Sequence, residues 1–224
     1  TFPDRLSYAA LVSERLLAVS DAELVSVAEQ LFNDAYWFDQ RACSSPRALL
    51  LCGPRAAALP AGERLLAALL AVSERRGYRT STDAALSKRL YAEQLALGGE
   101  ATRVLWAGNQ VVALLASNLD PLRQREHCGR GLFLLIPLDR LAQLADWVQP
   151  SDQTLVHFGF DRSELQELAL RVQGRGLDRI VPLGKALELS HLWDGYDLLE
   201  SFTRVRDVRT DESARGELAA AARS

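Results

Sequence analysis

The chain contains no methionine, only three cysteines and three histidines, and aromatic residues make up just 7% of its 224 residues. Three widely spaced cysteines cannot form a disulfide framework, and no two have the short spacing of a zinc knuckle, so a reducing cytoplasm is the expected setting. His127, His157 and His191 show no helical ligand spacing, and no metal site is expected. Charges interrupt even the richest apolar run, residues 65–72, and no basic-then-apolar segment opens the chain; neither a membrane span nor an export signal is expected. A net charge of −3 with interleaved acidic and basic residues gives no electrostatic footprint for nucleic acid. The missing methionine, with a structured-looking start at Thr1, is expected of a piece of a longer polypeptide.

What is present suits a packed core: 48% of the residues are hydrophobic, enough for one domain with an appendage. Ser20-Asp21-Ala22-Glu23 has the form of a helix start, and Leu24, Val27, Ala28, Leu31 and Phe32 follow at helical spacing. Periodicity then fails through Trp37-Phe38-Asp39-Gln40-Arg41-Ala42-Cys43-Ser44-Ser45-Pro46, which reads as a loop. Ala48–Cys52, a continuous apolar run before Gly53-Pro54, reads as a strand covered on both faces. Helices are expected over 61–76 and 83–97, a hairpin over 103–115, and a polar connection over 117–130. Strands at 132–136, 154–158 and 179–181 alternate with helices at 138–148 and 163–172, a rhythm that predicts crossover units and a mostly parallel sheet. Residues 202–208 read as a final strand, and the charged, Ala-rich tail from Thr210 as mobile. Residues 1–200 are thus expected to form the main domain and 201–224 a terminal strand and tail.

Cys43 is the leading candidate for chemistry, because a thiol in a loop of small polar residues can meet substrate and be solvated as thiolate. Cys52, inside a leucine-rich strand, reads as a small core hydrophobe; Cys128 in His127-Cys128-Gly129-Arg130-Gly131 reads as an exposed, uninvolved thiol. His157 lies in an apolar strand pattern and reads as a buried, satisfied imidazole. The clusters Gly129-Arg130-Gly131 and Gly174-Arg175-Gly176 could approach a phosphate, but neither matches a dinucleotide fingerprint, and ordinary turns account for both. Trp193-Asp194-Gly195-Tyr196-Asp197 reads as aromatics around an Asp-Gly turn.

The stretch Phe32-Asn33-Asp34, Phe38-Asp39-Gln40, Ala42-Cys43-Ser44-Ser45-Pro46 resembles the nucleophile region of the fatty acyl-CoA reductases best known from bacterial bioluminescence, members of the aldehyde dehydrogenase superfamily. The likeness continues in order through Gln153-Thr154, Asp178-Arg179-Ile180-Val181-Pro182-Leu183-Gly184-Lys185-Ala186-Leu187 and Trp193-Asp194-Gly195-Tyr196-Asp197-Leu198. Phe202-Thr203-Arg204-Val205-Arg206-Asp207-Val208 is similar to the strand with which that superfamily builds oligomers.

The resemblance implies an α/β, aldehyde-dehydrogenase-like catalytic domain with a mostly parallel sheet flanked by helices. It implies Cys43 as nucleophile toward acyl-CoA or another acyl thioester, and NADPH as reductant of the resulting acyl-cysteine to a fatty aldehyde. It also implies site-shaping or oxyanion roles for Gln40, Ser44, Gln153 and Thr154, and places Gly129, Arg130, Gly184, Trp193 and Asp194, with segment 153–159, near cofactor or substrate. A dinucleotide-binding half preceding the nucleophile region, needed for turnover, and a homo-oligomer are the implied partners. Phe2-Pro3-Asp4-Arg5-Leu6-Ser7 resembles the tail of the superfamily's general-base motif, but its glutamate position falls near Phe2, which has no carboxylate. Two rival readings keep the same residues: a cysteine-dependent thioesterase or acyltransferase, and a degenerate domain retained for assembly.

Overall fold

The computed structural model describes residues 5–208 except Arg125 and Asp194. In chain order the elements are β1 (Leu6–Val12), α1 (Ser13–Ala18), α2 (Asp21–Tyr36), β2 (Ala48–Cys52), α3 (Arg55–Arg75), α4 (Thr82–Leu97), β3 (Ala101–Trp106), β4 (Val112–Ala116), α5 (Asp120–Gln124), β5 (Leu132–Leu138), a 3-10 turn (Leu141–Asp146), β6 (Asp152–Phe158), α6 (Arg162–Val172), β7 (Arg179–Pro182), β8 (Leu192–Trp193), β9 (Tyr196–Asp197) and α7 (Leu198–Phe202). They fall into two compact units that part between Leu189 and Ser190, ahead of the expected boundary at 200. Arg179 accounts for the earlier boundary, since its guanidinium holds the carbonyls of Ala186 and Glu188 and so fastens the chain to the sheet almost to Leu189.

The first unit is built on a seven-stranded sheet in the order β3-β4-β5-β2-β1-β6-β7, parallel except for the edge pair β3/β4. Side chains alternate between its faces, as the two-residue strand period requires. Tyr8, Ala48, Leu50, Leu134 and Ile136 point to one side, where α4, α6 and the 3-10 turn cover them. Ala9, Leu11, Leu49, Leu51, Phe133 and Leu135 point to the other, under α1, α2 and α3. Burial on both sides is why these strands read as unbroken apolar runs.

α2 begins as its sequence predicts: Ser20 accepts from the Glu23 N–H while Glu23 reaches back to the Ser20 N–H, and Leu24, Val27, Ala28, Leu31 and Phe32 are all buried. α3 starts earlier than expected and carries Pro60 within its span. It is long and apolar enough to cross a bilayer by length and composition. Ala58, Ala61, Leu65, Leu66, Leu69 and Val72 are nonetheless buried in the core beneath the sheet. The helix expected over 138–148 shrinks to the 3-10 turn, because β5 runs on through Leu138. The central strand β1 has no counterpart among the expected elements: Ser7 and the pair Ala9-Ala10 are weak strand formers, and parallel pairing with β2 on one side and β6 on the other holds them there.

The second unit contains the hairpin β8/β9, which pairs Leu192 with Asp197 and Trp193 with Tyr196, and α7, capped by the Asp197 carboxylate. Phe202 closes α7, and the expected strand over 202–208 does not form: residues 203–208 are exposed and pair with no described strand. A strand needs a neighbour to receive its hydrogen bonds, and none among the described residues pairs with it. The tail from Thr210 lies outside the described residues.

Candidate active site

Because β1, β2, β4, β5, β6 and β7 are parallel, their first residues share one edge of the sheet. Cys43 lies there, in the connection that leads from α2 into the amino end of β2. After α2 the chain reverses through Asp39 and Gln40, both left-handed at φ 52° and 58°, with the Gln40 N–H donating to the Ala35 carbonyl at 2.7 Å. A tight turn follows, closed by the Ser45 N–H donating to the Ala42 carbonyl at 3.0 Å, with Cys43 and Ser44 at its centre.

Three polar side chains fasten this loop. Ser7 at the start of β1 donates its hydroxyl to the Cys43 carbonyl at 2.7 Å and accepts the Thr154 N–H at 3.1 Å. Ser45 donates to the Asp34 carbonyl at 2.8 Å. The buried Gln40 amide donates to the Pro46 and Leu132 carbonyls and accepts from the Gly131 and Leu132 N–H groups. Its two donors and two lone pairs are all in use. Gln40 therefore shapes the loop but has no donor left for an oxyanion, which corrects half of its expected role.

The three thiols have different surroundings. Cys43 is free and partly exposed, whereas Cys52 is buried in the core and desolvation pushes its thiol up to about 12. Cys128, expected to be exposed, is half-buried against the core; burial raises its thiol pKa, opposed by the nearby Lys88 and Arg130 charges. Neither the Cys43 nor the Ser44 backbone N–H donates a hydrogen bond to another described residue. N–H groups with no described acceptor beside a partly exposed thiol are the kind of donor an acyl-transfer oxyanion can use.

Among the other expected residues, Ser44 is buried within the turn, and Gln153 and Thr154 are buried at the amino end of β6, where Ser7 links Thr154 to the Cys43 carbonyl. The rest of segment 153–159 leads away: four residues of strand carry the chain about 13 Å from Thr154 to Phe158, at the opposite edge of the sheet. His157 near that end is half-buried rather than enclosed, and burial lowers its imidazole pKa.

Gly129 and Arg130 do not form a cradle for a ligand. A Cβ on Gly129 would lie 2.4 Å from the Asp39 carbonyl oxygen and one on Gly131 2.0 Å from that of Gln110, so these glycines exist for close backbone packing. The Arg130 guanidinium is paired with Asp83 at 2.9 Å. The Gly184 N–H is likewise committed, donating to Asp34 at 2.6 Å, with Gln30 packed against its Cα. Trp193 belongs to the second unit, and Asp194 lies outside the described residues.

Several contributors escape a reading of the sequence. Ser7 is one. Asp34 is another: buried, it accepts the N–H groups of Gly184 and Ala186, while desolvation pushes its carboxyl up to about 6 against those bonds and the Arg179 charge. Arg47, whose N–H donates to the Ser7 carbonyl at 2.9 Å, carries a guanidinium close enough to Cys43 and Tyr91 for their charges to act on it. Asp34 and Ser7 lie in segments that resemble the family but carry no role there, and proximity to Cys43 in sequence was the only available signal for Arg47.

The fold is that of solved aldehyde dehydrogenases. Thermus 1-pyrroline-5-carboxylate dehydrogenase with bound NAD is similar at 14% identity and a TM-score of 0.52 over 84% of this chain and 37% of that one. The Mycobacterium tuberculosis Δ-pyrroline-5-carboxylate dehydrogenase gives 17% and 0.52 over 78% and 34%. Aldehyde dehydrogenase from Brucella melitensis biovar abortus gives 12% and 0.53 over 84% and 39%. The chain thus spans little more than a third of the length of these structures. None of the curated proteins matches it. The family described as Acyl-CoA reductase (LuxC) matches residues 4–205, almost all of the described chain, and the chain belongs to the LuxC acyl-CoA reductase family.

Proposed function

We propose that this chain is the thiol-bearing catalytic domain of an acyl-CoA reductase, and that Cys43 is acylated during turnover. The Cys43 sulfur attacks the thioester carbonyl, a new carbon–sulfur bond forms, and CoA leaves as the thiol with the proton that Cys43 gave up. The unengaged N–H groups of Cys43 and Ser44 stabilise the tetrahedral oxyanion; one such donor is worth about 3 kcal/mol in the transition state. Ser7 and Gln40 keep the loop from relaxing, so the donors are in place before charge develops. The single observation that carries the reading is a free, partly exposed thiol flanked by unengaged backbone donors, in a chain whose other thiols are packed against the core.

The described residues do not fit a nicotinamide dinucleotide by themselves, since both glycines of the Gly129-Arg130-Gly131 cluster are filled by neighbouring backbone. NADPH, the hydride donor of the proposed reaction, is assigned to a dinucleotide-binding half outside this chain, and a neighbouring copy is assigned to the unpaired segment 203–208 in a cytoplasmic homo-oligomer. Mass spectrometry of the full-length enzyme after incubation with a fatty acyl-CoA tests the assignment. An adduct of one acyl group on the peptide containing Cys43, discharged as aldehyde on adding NADPH, is the expected result; acylation of Cys128 alone, or none, overturns it.

A further inference from the structure

An arginine-lined cavity of about 440 Å³ opens beside the Cys43 loop, at the amino ends of β1, β2 and β6. Arg5, Arg47 and Arg123 line it with Gln149 and His127, and Glu126 is the one acidic residue in its wall. Two of the arginines are answered: Arg5 lies 3.4 Å from Asp178, and Arg123 bonds the buried Asp152 at 2.7 Å. Arg47 is not. Its guanidinium makes no hydrogen bond and no ion pair with any described residue, although burial disfavours its charge and lowers its pKa from the ordinary value. A largely desolvated cation that no described residue hydrogen-bonds is costly, and a fork of five N–H donors is suited to oxygen anions.

The cavity joins the nucleophile through the backbone, since the Arg47 N–H holds the Ser7 carbonyl and the Ser7 hydroxyl holds the Cys43 carbonyl. Its wall is predominantly polar, unsuited to an aliphatic acyl chain. His127 adds no second cation: burial holds its imidazole near about 3, and its Nδ1 accepts the Gly129 N–H. What such a wall lacks is an anion with several oxygens.

We propose that this cavity binds the phosphate at the end of the pantetheine arm of the acyl thioester, with Arg47 as its principal ligand and Arg5 in support. The inference rests on the acylation of Cys43 proposed above. Arg47 then recognises the leaving-group side of the substrate, and the acyl chain lies elsewhere. CoA and a phosphopantetheine-bearing carrier protein share this chemistry.

The test gives the full-length enzyme one fatty acyl group carried on CoA, on phosphopantetheine or on pantetheine, and follows acylation of Cys43. Arg47→Ala should lower the acylation efficiency with both phosphorylated thioesters about tenfold to a hundredfold, the range for a hydrogen bond to a charged partner. It should leave the pantetheine thioester and the NADPH-dependent discharge of preformed acyl-enzyme unchanged. Arg47→Lys should recover part of the loss, and Arg5→Ala should show a smaller loss of the same kind. In the same enzyme, inorganic phosphate should raise the unfolding midpoint of wild type but not of Arg47→Ala. Equal losses with all three thioesters, or none, overturn the subsite and leave the acylation reading standing. If wild type is acylated by no thioester, the acylation reading fails first and the subsite falls with it. A larger loss with CoA than with phosphopantetheine points to the nucleotide part of CoA; equal losses point to the shared arm.

Discussion

Two arginines at opposite ends of the same sheet show how differently its edges are built. Beyond the carboxyl end of β1, Arg64 donates to the carbonyls of Leu16, Leu17 and Val19 and to the Asp21 carboxylate, closing the connection between α1 and α2. At the amino end, the Arg47 side chain makes no hydrogen bond with any described residue. In open parallel sheets ligands ordinarily sit at the carboxyl ends of the strands. Here the Arg64 guanidinium at the carboxyl edge is satisfied within the protein. The amino edge keeps a reachable thiol, unengaged N–H groups and an unanswered cation. Internal satisfaction marks a structural position, and polar groups left open beside a partly exposed thiol mark the edge where the proposed chemistry would sit.

The sharpest way to break this contrast is to exchange the thiols' fates. Cys43→Ala should remove acyl-adduct formation and lower aldehyde production about a thousandfold or more, with the unfolding free energy changed by no more than about 0.5 kcal/mol. Cys52→Ala should do the reverse, keeping acylation and costing about 1–2 kcal/mol in urea unfolding through a core truncation. Next in size is Asp34→Ala, which leaves the N–H groups of Gly184 and Ala186 without their acceptor and should cost about 2–4 kcal/mol. Ser7→Ala should be gentler, about 1–2 kcal/mol, yet should slow acylation roughly tenfold because the Cys43 carbonyl loses its anchor. Removing Arg64 at the other edge should lower the unfolding midpoint and leave the acylation rate per folded molecule intact.

The smallest effect is a pH signature of opposite signs. His127, held near about 3 by burial, binds fewer protons folded than unfolded below its ordinary 6.5, so its contribution is complete above pH 6.5 and is lost on acidification. Asp34, raised from 3.8 to about 6, binds more protons folded than unfolded, so its contribution is complete below 3.8 and is lost as pH rises through about 6. Urea midpoints between about pH 7 and pH 4.5 should fall on acidification in wild type, fall less in His127→Gln and fall more steeply in Asp34→Asn.

Local patterns in the sequence lead directly to much of this. The capping box of α2, the apolar run of β2 and the breakdown of periodicity before Cys43 are interactions among near neighbours, so the helix, loop and strand around Cys43 follow from the residues themselves. The family motif carries the rest of that reading as far as Thr154. It misleads at Gly129, Arg130 and Gly184, because a glycine required for close backbone packing and one required for a ligand look alike in sequence; only the occupied space distinguishes them. His157 and Thr154 share one strand, and the direction of the sheet alone sends them to opposite edges.

The sequence by itself determined an alternating α/β chain with a thiol in a loop between a helix and a buried strand, since those features depend on periodicity, caps and turn residues within a few positions of one another. Only the tertiary structure decided that Ser7 would brace that loop from a strand 36 residues away, that Gln40 would be consumed in holding it, and that Arg47 would be left facing a cavity with no hydrogen bond from its side chain to a described residue. Those outcomes depend on which distant backbone groups the parallel sheet brings to one edge, and no local pattern encodes that pairing.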